Sequence, residues 1–256
     1  MPSLKRRRSR WGRAVLMAAG CGTRIQAHIG EYPKSALEVG GEPLIRRTVK
    51  QLLERKLAVT VVLGYRREIV AQALSGLPVE VVYNPFYNIT NSIVSLWFAR
   101  HVLHESPLLL INGDVYMDSS ILDMALADKR TPVMFADPRR VEKGDFFLGV
   151  DERRLLRVYG KGLPVAQRTA EYIGLAKLEV GSLPQFRQRL QLLVEKQNHD
   201  AWWEQVLYSL TDEGGEVYVG EIGDRFWSEI DEPEDYERLQ RVCTIPEAVD
   251  LGGREW

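Results

Sequence analysis

VLMAAGCGTRIQAHIGEYPKSALEVGGEPLI, residues 15–45, decides how the chain folds. An apolar run enters this stretch and an amphipathic pattern leaves it. Between them lie Gly20, Gly22, Arg24 and Lys34 in a segment poor in apolar residues. Glycines just past a buried strand permit backbone angles that a side chain forbids, and let backbone N–H groups approach an anion closely. Arg24 and Lys34 add full positive charge, one as a two-pronged grip and the other as a mobile point charge. The combination suits a triphosphate. Two better-known phosphate loops are excluded. No Gly-Lys-Ser/Thr ending is present, and the third small residue of the dinucleotide fingerprint falls on Ile25. The glycines alone also fit an ordinary strand-to-helix turn.

The pattern extends outward from this loop. RAVLMA (13–18), AVTVVLG (58–64), VEVVYN (79–84), PLLLING (107–113) and TPVMFAD (131–137) read as strands. Helical spacing occupies 43–56, 65–76 and 91–103, with Thr90 or Asn91 as cap, and a further helix follows Asp118 or Ser119. Alternating apolar strands and helices predict an α/β fold, Rossmann-like, with a mostly parallel sheet covered by helices on both faces. The second half changes character. Shorter strands are expected at FFLGVD, LLRVYGKG, EYIGLAKLEV, EVYVGEI and FWSEID, two helices within 183–214, and a last helix at PEDYERLQRVC. The expected division is a basic disordered arm (1–12), a nucleotide-binding half (13–137), a smaller acceptor-binding half (138–241) and a tail (242–256).

Bulk properties narrow the class. The chain has 256 residues, 45% hydrophobic and 27% charged, enough for a sizeable core. No apolar run reaches the roughly 18 residues that span a bilayer, and no signal-like segment follows the basic start. The two cysteines, Cys21 and Cys243, match no zinc spacing and suit free thiols in a reducing cytoplasm. Residues 1–13 hold six cations and no acid, so the overall net charge of −1 leaves −7 on the remainder. With no second basic stripe, the arm reads as a solvated tail; neither a nucleic-acid nor a membrane partner is expected.

In open parallel sheets, ligands bind beyond the carboxyl ends of the strands. That rule selects Ala19–Lys34, Asn84–Ser92 and Asn112–Tyr116. Asp114, directly after an apolar strand, is a turn residue or a metal ligand. Asp231 opens DEPE, which also reads as a helix cap with Glu234 three residues on. Glu229, two residues earlier on the same strand face, is a substitute ligand. Tyr83, Asn84 and Asn91 are candidates for base or ribose contacts, or are ordinary loop and cap residues. His28, His101, His104 and His199 form no recognisable pair.

LMAAGCGTR followed by PKSALEVGGEPLI resembles the nucleoside-triphosphate transferases, the pyrophosphorylases that join a nucleotide to a phosphorylated metabolite. Met17 stands where the signature has alanine. The resemblance implies that Ala18, Ala19, Gly20, Cys21, Gly22 and Thr23 wrap base and phosphates, that Arg24 contacts the triphosphate and that Lys34 neutralises the α-phosphate. It implies Asp114 and Asp231 as Mg2+ ligands. YNPFYNITNSIVSL (83–96) and FWSEIDEPEDY (226–236) look like the cytidylyltransferase branch that acts on phosphocholine and 2-aminoethylphosphonate, with Asn84, Asn91 and Ser92 on the nucleotide. Substrates would then be CTP and a small phosphate or phosphonate, with Lys161 on the acceptor phosphate.

An ammonium-bearing acceptor is well held by aromatic faces and a carboxylate. Tyr116, Phe146, Phe147, Tyr172, Trp202, Trp203 and Trp227 supply faces, with Glu171 and Glu229 nearby in sequence. Adjacent tryptophans on a helix cannot share one face; Trp203 is taken as the acceptor-side member, beside Tyr116, Trp227, Glu171 and Glu229. A sugar- or polyol-phosphate nucleotidyltransferase and a non-catalytic nucleotide sensor are the alternatives. The oligomeric state stays open, a homodimer included.

Overall fold

The computed structural model describes residues 12–22 and 24–244. The expected arm up to residue 11, Thr23 of the predicted phosphate loop and residues 245–256 of the predicted tail lie outside the described residues.

The chain begins with β1 (Arg13–Ala18), a short helix α1 (Gln26–Ile29), a small hairpin of β2 (Glu38–Val39) and β3 (Glu42–Pro43), and helix α2 (Leu44–Glu54). Next come β4 (Ala58–Leu63), α3 (Arg67–Ala73), β5 (Glu80–Tyr83) and α4 (Ser92–Phe98). Then β6 (Leu108–Asn112), β7 (Val115–Met117), α5 (Ser119–Ala127) and β8 (Val133–Asp137) complete the first half. β1 pairs parallel with β4 on one side and β6 on the other, and β5 pairs parallel with β4. Alternation along β1 assigns its side chains to two layers. Ala14, Leu16 and Ala18 pack with α2, α3 and α5, whereas Val15 and Met17 pack with α4 and the helices of the second half. A strand buried on both faces must be apolar throughout, which is why RAVLMA and PLLLING were readable as strands.

The second half adds β9 (Phe147–Val150), β10 (Leu156–Gly160), β11 (Ala170–Leu178), α6 (Leu183–Glu195), α7 (Gln205–Asp212), β12 (Tyr218–Glu221), β13 (Trp227–Glu229) and α8 (Pro233–Thr244). β11 is buried along its whole length and runs antiparallel beside β6, joining both halves into one nine-stranded sheet. The parallel core thus belongs to the first half, and the later strands make the sheet mixed. β8 pairs with β11 and β12 rather than with the parallel group. The register of β11 slips between Tyr172 and Ala176, where Gly174 has φ +74°; a Cβ there would lie 2.9 Å from Val115 Cγ2. That kink bends β11 over the end of β6.

Two further contacts position the site. β13 pairs antiparallel with β7, Glu229 opposite Val115, and Ile230 N–H donates to Asp114 O at 3.1 Å. The segment before α7 docks on the start of α4, with Asn91 N–H on His199 O at 2.7 Å and Trp203 N–H on Ser92 Oγ at 2.9 Å. No helix among the described residues is long and apolar enough to cross a membrane.

Candidate active site

At the carboxyl ends of β1 and β6 a cavity of about 250 Å³ opens between the halves. Its first wall is the loop after β1: Ala18, Ala19, Gly20, Gly22 and Arg24, with Lys34 facing them. Gly22 has φ +62°, and a Cβ there would lie 2.7 Å from Lys34 Cγ. The glycine lets the lysine stem lie flat against the loop and carry its ammonium into the cavity. Lys34 is itself mostly buried, in the 3-10 turn Lys34–Ala36.

The second wall is acidic. Asp114 follows β6, and Glu229 and Asp231 arrive on and after β13, so the pairing of β7 with β13 sets all three side by side. One carboxylate oxygen from each lies within 4.8 Å of the others. Lys34 Nζ donates to Asp231 Oδ1 and sits 3.9 Å from Asp114 Oδ2; Arg24 reaches Asp231 Oδ2 at 2.6 Å. Burial raises the Asp114 carboxyl, opposed by Lys34 and reinforced by Asp231. Burial also pushes Glu229 well above the usual carboxylate range, helped by Asp114, Asp231 and Asp145. Three crowded, desolvated carboxylates repel one another, and two cations only partly offset this. The donor set is all hard oxygen, which fits a divalent ion such as Mg2+.

The third wall is aromatic. Phe146 stacks on Tyr208 (centroids 5.3 Å, interplanar angle 8°) and meets Trp202 edge-on at 5.9 Å. Lys161 Nζ lies 4.8 Å from the centre of the Trp202 ring and pairs with Asp145 at 2.8 Å. Asp145 also lies 3.7 Å from Arg24, so a carboxylate links the cations of the two lobes. Tyr172 and Glu204 complete this lobe. Burial raises the Glu204 carboxyl to about 7, although Asn112 donates to it.

Residues 14–170 match the family described as MobA-like NTP transferase domain, more than half of the chain. The chain belongs to this family. Among relatives of this chain is the CMP-5'-(3-aminopropyl)phosphonate synthase of Streptomyces rubellomurinus, 28% identical over 244 residues, covering 87% of this chain and 37% of that protein. The bifunctional IPC transferase and DIPP synthase of Rubrobacter xylanophilus is 29% identical over 234 residues, covering 87% of this chain and 50% of that one. The chain therefore spans half or less of the length of these curated relatives. A solved structure, the CTP:phosphocholine cytidylyltransferase of Streptococcus pneumoniae, superposes with a TM-score of 0.75 at 20% identity, covering 90% of this chain and 98% of that chain. That likeness concerns the fold, which has the Rossmann-like form expected from the sequence.

The cavity brings together many of the sequence-selected residues: Ala18, Ala19, Gly20, Gly22, Arg24, Lys34, Asn91, Ser92, Asp114, Lys161, Glu229 and Asp231. Cys21, between Gly20 and Gly22 in the loop, is half-buried but does not line the cavity. Asn91 also caps α4, its side chain accepting from Ser92 N–H at 2.7 Å.

Six of the selected residues lie elsewhere, by geometry. Asn84 is fully buried away from the cavity; it bonds Ser95 Oγ and Phe86 N–H and so braces the loop before α4. Its neighbour Tyr83 lies on the edge strand β5 with Arg67 over its ring. Trp203 is fully buried because its indole N–H has a partner inside, Asn112 Oδ1 at 2.7 Å; Trp202 is the tryptophan that faces the cavity. Trp227 is buried with its N–H on Asp137 at 3.0 Å and Arg140 over its ring. Tyr116 packs against Phe226 and Arg47 below the site. Glu171 faces Arg140 at 2.8 Å and accepts from Asp145 N–H at 2.7 Å, so it holds the loop that presents Asp145.

Asp145, Asn112, Glu204 and Tyr208 were missed. The first two sat in or beside segments already under consideration. Glu204 carries no motif, and its only signal was its place after two tryptophans.

Proposed function

We propose that this transferase moves CMP from CTP to a small acceptor bearing a phosphate or phosphonate and an ammonium group, and releases pyrophosphate. The observation that carries the reading is one cavity with cations and an acid trio at one end and an aromatic, acidic lobe at the other. The name of one relative, the CMP-5'-(3-aminopropyl)phosphonate synthase, supports the same substrates. A sugar or polyol phosphate would stack its C–H groups on the same rings but leave the lobe's buried Glu204 without a cation.

In the reaction, an acceptor oxygen attacks the α-phosphorus, the bond to the bridging oxygen breaks, and pyrophosphate departs. Asp114 and Asp231, with Glu229 beside them, would hold Mg2+, which supplies charge neutralisation at the α-phosphate and the leaving group. Arg24 and Lys34 exchange Asp231 for phosphate oxygens and stabilise charge as it develops. The acceptor oxygen is already ionised at neutral pH, so no residue need remove a proton from it. Residues 13–137 serve the nucleotide and 138–241 the acceptor in this reading. The reducing cytoplasm suits the free thiols of Cys21 and Cys243.

Pyrophosphate release measured with CTP, UTP, dTTP and GTP against 2-aminoethylphosphonate, phosphocholine and a hexose phosphate tests the proposal. CTP with an amino-bearing acceptor should be preferred. Turnover with UTP or dTTP alone would refute the base assignment, and CTP–Mg2+ binding without turnover would favour a sensor.

A further inference from the structure

We propose that Glu204 makes the acceptor lobe select a primary ammonium over a quaternary one. The proposal deepens the cytidylyl-transfer reading and rests on it. Aromatic faces alone serve any onium group, because the attraction is between charge and ring quadrupole and needs no N–H. Phe146, Trp202, Tyr172 and Tyr208 therefore do not discriminate by themselves.

Polar atoms in the lobe do. Glu204 is only 6% exposed, and among the described residues its side chain is held by the neutral amide of Asn112. Elsewhere in the cavity Asp145 pairs with Lys161, Asp114 and Asp231 face Lys34, and Glu229 lies in the trio suited to a divalent ion. Glu204 thus remains as a buried carboxylate without a cation. Its orientation is fixed from behind. Trp203 Nε1 can only donate, so it holds Asn112 Oδ1 at 2.7 Å and turns Asn112 Nδ2 toward Glu204 Oε1, 3.1 Å away. Asn112 sits at the end of β6, so a rigid strand positions the carboxylate. Beside it, the Tyr172 hydroxyl is buried with no hydrogen-bond partner and lines the same cavity.

A buried carboxylate and a buried unpartnered hydroxyl are costly unless a ligand satisfies them. A primary ammonium brings three N–H donors and a full charge, and forms charge-assisted hydrogen bonds to such oxygens. A trimethylammonium brings the charge without a donor, so it leaves the Tyr172 hydroxyl unpartnered, adds no hydrogen bond to Glu204 and sets methyl groups against both. Sites built to hydrogen-bond a substrate group reject analogues lacking it far more strongly than apolar pockets reject an extra methylene.

The test compares kcat/KM for 2-aminoethylphosphonate, its N,N,N-trimethyl analogue and ethylphosphonate, with CTP saturating. The wild type should prefer the primary amine over both by about tenfold or more. Glu204→Gln should cut kcat/KM for the primary amine about 10²-fold, change the other two less than about threefold, and leave KM for CTP alone. Tyr172→Phe, which removes one oxygen and keeps the ring, should produce the same selective loss on a smaller scale. Equal loss across the three acceptors, or a wild type that favours the trimethyl compound, would overturn the proposal. If no acceptor supports turnover, the cytidylyl-transfer reading fails instead. Calorimetric binding of 2-aminoethylphosphonate against ethylphosphonate then decides this proposal separately: discrimination abolished by Glu204→Gln supports it, and equal binding of the two refutes it.

Discussion

Lys34 is the residue on which both walls of the cavity depend. It touches Asp231, approaches Asp114 and lies against Gly22. Replacing Lys34 with Met should lower kcat by about 10²–10³ in a pyrophosphate-release assay, the scale expected when a preorganised charge is removed from a transition state. Gly22→Ala should act on the same lysine from the other side. A side chain at φ +62° is strained and its Cβ would drive Lys34 from its place, so about 1–2 kcal/mol of stability should be lost in denaturant unfolding, along with activity. At this scale the sequence was legible where side chains act through charge at the end of a strand, as with Arg24, Lys34 and Asp114. It was opaque where the outcome depended on which neighbour had a hydrogen-bond partner. Nothing local says that Trp203 finds Asn112 inside while Trp202 turns to the cavity, or that Asn84 satisfies its amide on Ser95 and the loop backbone.

Among elements, the pairing of β7 with β13 is decisive, since it carries Glu229 and Asp231 to Asp114. Ser228 lies at the centre of β13, opposite Tyr116, and is fully buried. Ser228→Pro should remove the ladder there, cost about 3 kcal/mol and weaken Mn2+ binding measured by calorimetry, while the parallel strands stay intact by hydrogen exchange. Wild-type metal affinity in this variant would show that the ribbon does not assemble the acids. The long parallel strands were readable because burial on both faces demands continuous apolar residues. β7, β13 and the β2–β3 hairpin have two or three residues each, too short for a period to register, and their pairing is a long-range event. α4 was read to residue 103 but stops at Phe98, where a 3-10 turn takes over at Arg100–Val102.

For the molecule as a whole, ionisation of buried acids sets how stability varies with pH. Burial raises Glu171 and Glu204 to about 7, above the ordinary 4.5. The folded state therefore holds protons that the unfolded chain releases. That stabilisation is complete below the unfolded value near 4.5 and disappears as pH rises through about 7. The melting temperature of the metal-free protein should fall between pH 5 and pH 8, and Glu171→Gln should flatten the slope. A profile unchanged by that substitution would show that Glu171 is ionised at acid pH. The division into a parallel half and a mixed half places the cavity across their junction. That placement was legible from the rule that ligands sit beyond strand carboxyl ends, but the contribution of α7 through Glu204 and Tyr208 depended on a loop docking against α4 that no pattern announces.

The central claim is that Arg24 and Lys34 on one side, and Asp114 and Asp231 on the other, meet at one nucleotide's phosphates through a divalent ion. A crystal structure with Mn2+ and a non-hydrolysable CTP analogue, read by anomalous scattering, tests it directly. The account predicts an anomalous peak touching Asp114 and Asp231, with Lys34 and Arg24 released from Asp231 onto the triphosphate. A triphosphate bound elsewhere, or a peak away from both aspartates, would contradict it.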